Sequence, residues 1–260
     1  MRDTLTNATA DGLLFEGIIS IRALLEGRNA GVTDREIRTV LYAEEKIEKS
    51  PREWAWLSHR SEEHGFELKI VPRSELDRIA IGTTHGGILA VCSERTIPDV
   101  SALAPKENGF YVLLEGIEDP YNFGYAVRSL FASGADALIL SPRNWMSCAG
   151  IVCRASAGAS ERIPVFSYSD SGFLSAFKQA GIRIVCTDQK NSVPVYSADL
   201  SGGVLLVIGG EKRGISASLE KNADLTVSIP YGRPFPEALS AASAASILAF
   251  EILRQRNRFC

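Results

Sequence analysis

Five short apolar runs divide the second half of the chain and constrain its fold more than any other feature. They are rich in Val, Ile and Leu, and they cover residues 110–114, 137–140, 183–187, 204–208 and 225–229. Strands buried on both faces of a parallel sheet have this composition. Helical spacing of apolar residues separates the runs, so the pattern predicts an α/β domain with a doubly wound parallel sheet. In such sheets, ligands bind beyond the carboxyl ends of the strands.

The first half of the chain alternates in the same way, with shorter segments. Helices are predicted over residues 17–27 and 51–64 and from Ser74 onward, and strands over residues 37–42, 66–71 and 87–92. Pro51 suits a first helical turn, and Gly65 suits the position that follows a last turn. Residues 97–108 show little periodicity and contain two prolines, which is typical of a linker. We therefore predict a small α/β domain over residues 1–96, a linker over 97–109 and a larger α/β domain over 110–260.

Composition narrows the class of protein. The 260 residues are 45% hydrophobic and carry a net charge of −3, which is typical of a globular protein without a strong general attraction to polyanions. The polar start of the chain and the lack of a long apolar stretch predict a cytoplasmic protein that does not enter membranes. The five cysteines form no C-x-x-C pair and the three histidines show no ligand spacing, so we expect reduced, buried thiols and no metal site.

The segment after the first of the five strands contains candidate functional residues. Leu114 is followed by an Asp-Pro turn, by Asn122 and Gly124, and by a predicted helix over residues 124–133 that carries Arg128. Asn122 is expected to cap this helix, and Gly124 allows another backbone to approach closely. Arg128 either points back toward a ligand cavity or lies on the surface of a capped helix, and the segment alone leaves both interpretations open.

Two further segments follow the strands at 204–208 and 225–229. Gly209, Gly210 and Glu211 form a turn that fits neither the G-x-G-x-x-G pattern nor the P-loop, although its bare backbone amides suit a carboxylate or an adenine edge. Ile229 is followed by a proline-rich loop and by a predicted helix over residues 236–256, whose small residues include Ser240. Small side chains permit a neighbouring helix to pack closely.

In this order and at this spacing, the three segments resemble the SpoU (TrmH) family of RNA 2′-O-ribose methyltransferases in the SPOUT superfamily. Asn122, Gly124 and Arg128 match the family's first motif, N-x-G-x-x-x-R. Gly209 with residues 211–214 matches the second motif, and residues 229–230 with Leu239 match the third. The residues at 155–159 and 162–164 match the segment between the first two motifs.

The first half of the chain is similar to the family's substrate-binding domain, which resembles a ribosomal-protein RNA-binding fold. Residues 17–27 open that domain, and Thr84-His-Gly-Gly87 stands where the family usually has T-H-Q-G. The resemblance therefore covers nearly the whole chain. It implies a homodimer that binds RNA across two chains, with ribosomal RNA as the expected substrate and transfer RNA as the alternative.

The resemblance also implies a cofactor and a place for it. The C-terminal parallel-sheet domain is expected to contain a deep trefoil knot that binds S-adenosylmethionine. The loops after Thr187, Ile208 and Ile229 are expected to hold the cofactor. The other cofactor-binding candidates at matching positions are Gly209, Gly210, Leu239 and Ser240.

Arg128, Asn122 and Glu211 are the catalytic residues that the resemblance implies. A ribose 2′-hydroxyl is a weak nucleophile and must lose its proton as it attacks the sulfonium methyl group. In the family, the residue that matches Arg128 is assigned the proton abstraction. The alternative is that Arg128 binds a phosphate and stabilises the developing alkoxide, while Asn122 and Glu211 fix Arg128 and the loop.

Four positions depart from the family's pattern. The third motif reads Ala238-Leu239-Ser240 where the family has S-L-N, Gly210 replaces an Asn of the second motif, and Gly86 replaces a Gln. A serine hydroxyl has a shorter reach than an asparagine amide. A catalytically weak or inactive RNA-binding or ribosome-assembly protein on the same scaffold is therefore the alternative to an active methyltransferase.

Overall fold

The computed structural model of the chain describes residues 12–141, 148–210 and 212–257. In chain order, the first elements are β1 (Leu13–Glu16), α1 (Gly17–Asn29), β2 (Ile37–Ala43), α2 (Glu44–Lys49), α3 (Pro51–His64), β3 (Glu67–Val71), α4 (Arg73–Ile79) and β4 (Ile88–Cys92). The chain continues with β5 (Phe110–Glu115), α5 (Pro120–Ala132), β6 (Ala137–Leu140), α6 (Ala149–Ala155), α7 (Ala159–Arg162), β7 (Val165–Ser167), α8 (Leu174–Gln179) and β8 (Arg183–Thr187). The last elements are β9 (Val193–Pro194), β10 (Val204–Gly209), α9 (Ala217–Glu220), β11 (Leu225–Ser228) and α10 (Ala241–Asn257).

The described residues form two units. The first contains residues 12–96 and 148–162, and the second contains residues 97–141 and 163–257. Residues 148–162 therefore depart from the sequence-based boundaries, which place them inside a domain over 110–260. Their contacts explain the difference. A Cβ on Gly150 would lie 1.9 Å from the carbonyl oxygen of Leu14, and the buried Glu161 carboxylate accepts a hydrogen bond from Arg35 Nε (3.3 Å).

The first unit has a mixed four-stranded sheet in the order β1-β4-β2-β3. β2 pairs parallel with β3 and antiparallel with β4, and β4 pairs antiparallel with β1. Helix α3 has the bounds that the sequence predicts, because Pro51 occupies its first turn and Gly65 follows its last turn with φ +73°. The short elements β1 and α2 were not predicted, since each is too brief to show a periodicity.

The second unit has a seven-stranded sheet in the order β7-β6-β5-β10-β8-β11-β9. All six neighbouring pairs are parallel, which confirms the predicted α/β fold with a parallel sheet. From β5 the chain moves toward one edge through β6 and β7, and the later strands lie on the other side of β5. This change of direction opens a crevice at the carboxyl ends of β5 and β10, where ligands bind in such sheets.

Two helices of the second unit begin at positions that correct the sequence-based interpretation. Helix α5 starts at Pro120 rather than at residue 124, because the carboxylate of Asp119 accepts hydrogen bonds from the backbone N–H groups of Tyr121 (2.6 Å) and Asn122 (3.0 Å). Asn122 therefore lies inside the first turn and is not the cap. Helix α10 starts at Ala241 rather than at residue 236.

The predictions about the cysteines, membrane segments and the knot have separate outcomes. Cys92, Cys153 and Cys186 are buried, as expected, and burial raises the thiol pKa of Cys153 and Cys186 to about 12. Cys148 is partly exposed, and Cys260 lies outside the described residues. No helix in the described part of the chain is long and apolar enough to cross a membrane. The trefoil knot stays a prediction.

Candidate active site

A cavity of about 230 Å³ opens in the second unit at the carboxyl ends of β8, β10 and β11. It contains six residues predicted from the sequence to bind the cofactor: Thr187, Ile208, Gly209, Gly210, Ile229 and Leu239. These residues come from four segments far apart in the sequence. The parallel sheet brings three of the segments together because it places the ends of its strands side by side. We call this the strand-end cavity.

The lining of the strand-end cavity combines apolar walls with a few polar groups. Apolar side chains come from β10, β11, the loop before α10 and α10 itself: Ile208, Val227, Ile229, Leu239 and Leu248. Polar side chains come from the last residues of β8 and β11 and from the loops that follow them: Thr187, Asp188, Gln189, Ser228 and Tyr231. Such a lining is typical of small-molecule sites, where apolar surface provides contact area and a few polar groups fix orientation.

Gly210 is required by the close approach of two strand ends. β5 and β10 are neighbours in register, with Gly209 opposite Glu115, so both chains leave the sheet at the same level. A Cβ on Gly210 would lie 2.2 Å from the carbonyl oxygen of Gly116 and 2.5 Å from its carbonyl carbon. Gly116 itself has φ +77°, a conformation that glycine adopts without strain. The Asn of the family's pattern would not fit this backbone arrangement.

Ser240 caps helix α10. Its Oγ accepts a hydrogen bond from the backbone N–H of Ser243 (3.2 Å), and its carbonyl oxygen accepts the first helical bond, from Ala244 N (2.9 Å). This is the geometry of an N-cap, where Ser and Asn are about equally favourable. Ser240 is not among the residues that line the strand-end cavity, in contrast to its neighbours Leu239 and Ala241.

A second cavity of about 340 Å³ adjoins the first, because Ala241 lines both. It is lined by Gly116, Ile117, Glu118, Asp119, Asn122, Lys212 and Ala241, so Asn122 lies at its wall. Lys212 Nζ forms a salt bridge with Glu118 Oε2 (2.7 Å) beside this cavity. Both side chains are largely exposed, so the pair contributes little to stability and is readily exchanged for another partner. We call this the Asn122 cavity.

Arg128 does not line either cavity. It lies six residues after Asn122 in α5, which corresponds to a rotation of about 240° around the helix axis, and its side chain is exposed. Tyr121 and Tyr125 share this outer face and are 51% and 50% exposed. The structure therefore brings Asn122 and the cofactor candidates together but leaves Arg128 outside this group. Glu211, the third catalytic candidate, lies outside the described residues.

Glu115 at the end of β5 lines neither cavity, but it positions a loop beside the site, and sequence reasoning missed this role. Its Oε2 accepts a hydrogen bond from the backbone N–H of Ser216 (2.8 Å), and its Oε1 accepts one from the hydroxyl of Tyr168 (3.3 Å). Burial, and then the carboxylate of Glu115, raise the pKa of the Tyr168 phenol. Glu115 thus fastens the end of the loop that follows Gly210 to the centre of the sheet.

Further lining residues escaped the sequence analysis for different reasons. Asp188 and Gln189 directly follow β8, so the rule that ligands bind at strand ends would have been sufficient to find them. Ala241, Ala244 and Leu248 are spaced as one helical face, but the same spacing is expected of core residues. Tyr231 lies in the proline-rich loop, where its hydroxyl accepts a hydrogen bond from Leu239 N (3.1 Å), and no sequence pattern indicates this contact.

Comparisons with known proteins identify the family. The model of the SpoU rRNA methylase family matches residues 109–250. The chain belongs to this family. It is 34% identical over 201 residues to an uncharacterized tRNA/rRNA methyltransferase of Mycobacterium sp. (strain KMS). The aligned region spans 75% of this chain but only 64% of that relative. A relative with the same description from Mycobacterium ulcerans (strain Agy99) is 30% identical over 247 residues, 93% of this chain and 78% of the relative.

A solved structure supports the same assignment. The crystal structure of the SpoU methyltransferase AviRb from Streptomyces viridochromogenes, in complex with the cofactor AdoMet, has a TM-score of 0.75 to this chain at 25% identity. The match covers 98% of this chain and 94% of AviRb. The family that the sequence motifs indicated is therefore confirmed.

Proposed function

We propose that this SpoU family protein is an RNA methyltransferase that transfers a methyl group from S-adenosylmethionine to a ribose 2′-hydroxyl of ribosomal RNA. The observation that carries the proposal is the strand-end cavity, which gathers six of the residues predicted to bind the cofactor and adjoins a second cavity that contains Asn122. A methyl donor and an acceptor bound in adjoining cavities would meet near Ala241, the residue that lines both. Transfer RNA is the alternative substrate.

The residues of the strand-end cavity fit S-adenosylmethionine, which supplies an electrophilic methyl group on a sulfonium. The apolar side chains of Ile229, Leu239 and Leu248 provide walls for an adenine ring. Asp188 and Gln189 supply acceptors for ribose hydroxyl groups or for the ammonium group. Gly209 and Gly210 let the backbone at Gly116 and Gly214 pack against the end of β10, so this wall of the cavity is built from backbone.

The Asn122 cavity suits the acceptor nucleotide. Asn122 presents an amide that both donates and accepts hydrogen bonds, which matches a ribose hydroxyl. Lys212 provides a positive charge for a phosphate once it exchanges its exposed partner Glu118. In-line attack requires the 2′-hydroxyl to be held against the methyl group at near-contact distance, and two adjoining cavities provide such fixed positions.

Arg128 is the catalytic residue in this proposal, with Asn122 and Glu211 as supporting residues. A guanidinium gives up a proton reluctantly, so we assign Arg128 to bind a phosphate and to stabilise the developing alkoxide, while the hydroxyl proton passes to solvent water. Because Arg128 lies on an outer face of α5 with Tyr121 and Tyr125, we infer that a second copy of the chain covers this face. Two such aromatic side chains exposed side by side on one helix are typical of interfaces. In a homodimer, Arg128 would then act in a site built by two chains.

The decisive experiment measures methyl transfer and identifies the product. The full chain is incubated with methyl-labelled S-adenosylmethionine and with ribosomal or transfer RNA transcripts, and nuclease digests are analysed by mass spectrometry. We expect 2′-O-methylated nucleosides with wild type and a loss of at least about 100-fold with Arg128→Ala, while cofactor binding by calorimetry is retained. Wild type that binds the cofactor yet methylates no RNA, or that methylates a base, contradicts the proposal. Tyr125→Glu should lower the dimer fraction in light scattering.

A further inference from the structure

The surface of the first unit carries an indole ring flanked by two guanidinium groups. Cζ of Arg22, on α1, lies 5.0 Å from the centroid of the Trp56 ring, and Cζ of Arg60, on α3, lies 5.9 Å from it. Trp56 is partly exposed and Arg22 is exposed. Both Trp54 and Trp56 pack in part against the buried core of the first unit, and the ring of Trp54 also lies on the buried Tyr42 with centroids 5.1 Å apart. The ring of Trp54 thus meets another aromatic ring, whereas the ring of Trp56 meets two cations.

The charge on Arg22 is available to a ligand. Within the described residues, Arg22 forms no salt bridge, although Glu26 lies one helical turn away. The carboxylate of Glu26 is instead paired with Arg162, and Arg28 on the same helix is paired with Glu36. The one acidic partner of Arg60 in the described ranges is the exposed Glu63, and pairs of this kind contribute little in water. A phosphate can displace such a carboxylate at a small cost.

We propose that Trp56, Arg22 and Arg60 form a contact site for an unpaired base of the RNA substrate and its phosphates. Unpaired bases stack on aromatic side chains and on guanidinium planes, and both kinds of surface are present here. A base inside a duplex does not expose its ring faces, so this site selects a loop or a single-stranded segment. The proposal rests on the proposed function, since it assigns part of the RNA substrate to a surface outside the methyl-transfer site.

Binding measurements with the full chain test the site. The probe is a fluorescent ribosomal RNA transcript that wild type methylates, followed by anisotropy. Trp56→Ala is expected to weaken binding about tenfold, the loss of one stacked base. Arg22→Ala combined with Arg60→Ala should weaken binding and also lower the slope of log affinity against log salt by about 0.7 for each phosphate that the variant no longer binds. Arg78→Ala, which removes an exposed Arg on α4 of the same unit, should bind like wild type.

A spectroscopic measurement separates stacking from indirect effects. The chain has three tryptophans, so Trp54→Phe combined with Trp145→Phe leaves Trp56 as the single indole fluorophore. We expect RNA to quench its fluorescence at the concentrations at which RNA binds. A buried structural indole that does not touch RNA would show no such change.

The outcomes distinguish this inference from the proposed function. If Trp56→Ala and the double arginine variant bind the RNA like wild type while wild type methylates it, the contact site is wrong and the proposed function stands. If wild type neither binds nor methylates RNA, the proposed function fails and the contact site fails with it. Should Trp56→Ala unfold, the arginine variants, which keep the indole, decide the question. Cofactor affinity should be unchanged in every folded variant.

Discussion

Replacement of Gly210 by alanine is the sharpest test of how the strand ends build the strand-end cavity and the proposed cofactor site. The new Cβ would lie 2.2 Å from the carbonyl oxygen of Gly116, whereas a carbon–oxygen contact needs roughly 3.3 Å. One of the two backbone segments must therefore move by about 1 Å. Overpacking of this size costs about 1–3 kcal/mol. Because Gly210 lines the strand-end cavity, the movement displaces the cavity wall itself.

The expected result is a loss of cofactor affinity and a larger loss of turnover. The overpacking cost lowers the stability of the fold, whereas cofactor binding weakens because the displaced wall loses contacts with the cofactor. A loss of about 1–3 kcal/mol in those contacts corresponds to roughly 5- to 150-fold weaker binding of S-adenosylmethionine, measured by calorimetry. A displacement of about 1 Å in a catalytic arrangement costs on the order of 100-fold in kcat. The first unit should stay folded, because Gly210 belongs to the second unit.

Gly202→Ala provides a matched control. Gly202 belongs to the same unit, and a Cβ there would meet no atom within 4 Å. Neither Gly202 nor Gly210 has a positive φ, so the two substitutions differ in contacts and not in backbone strain. If Gly210→Ala binds the cofactor and turns over like Gly202→Ala, the close approach of the two strand ends does not shape the site and the reasoning is refuted.

Two further predictions concern helix α10. Ser240→Ala should lower the free energy of unfolding by about 1 kcal/mol and the melting temperature of the second unit by about 2–4 °C. Ser240→Asn should leave both nearly unchanged, because Asn caps helices about as well as Ser. Equal melting temperatures for the two variants would argue against the cap. Hydrogen bonds from Arg254, and then from Gln255, lower the pKa of the buried Glu251 carboxylate. A lowered pKa means that Glu251 stabilises the fold above the ordinary Glu value and that this stabilisation is lost as the pH falls through the lowered value. In chemical denaturation, Glu251→Gln should therefore have a lower free energy of unfolding than wild type at pH 7. This difference should shrink below pH 4.5, the ordinary Glu pKa. A difference that persisted at low pH would show that the carboxylate charge is not involved.

The sheet was predictable because its strands are buried on both faces. Every apolar run in the second half corresponds to a strand, since short runs that are rich in Val, Ile and Leu are typical of strands buried on both faces. The edge strands β7 and β9 are only three and two residues long and leave no pattern to detect. The placement of residues 148–162 with the first unit depends on contacts such as Arg35 with Glu161, which are 126 residues apart in the sequence. Local patterns contain no information about such contacts.

The candidate site was predictable where it follows from topology and less so where it follows from side-chain orientation. The loops that line the strand-end cavity lie at strand ends, so a list of strands with the family's motifs was sufficient to place them. The starts of the two helices were misjudged because Asp119 and Ser240 compete with neighbouring Pro, Asn and Gly residues for the cap positions. The outward direction of Arg128 became apparent only when the start of α5 fixed the rotation of that helix.

The departures from the family's pattern bear on whether the protein is catalytically active. Gly210 stands where the family has Asn, and the backbone of Gly116 leaves no room for a side chain there. Ser240 also stands where the family has Asn, and it performs a capping role for which the two residues are about equally suited. These two departures thus have structural explanations that leave the strand-end cavity intact. Neither one favours an inactive protein, so the case against catalysis would have to come from Arg128, whose motif is complete in this chain.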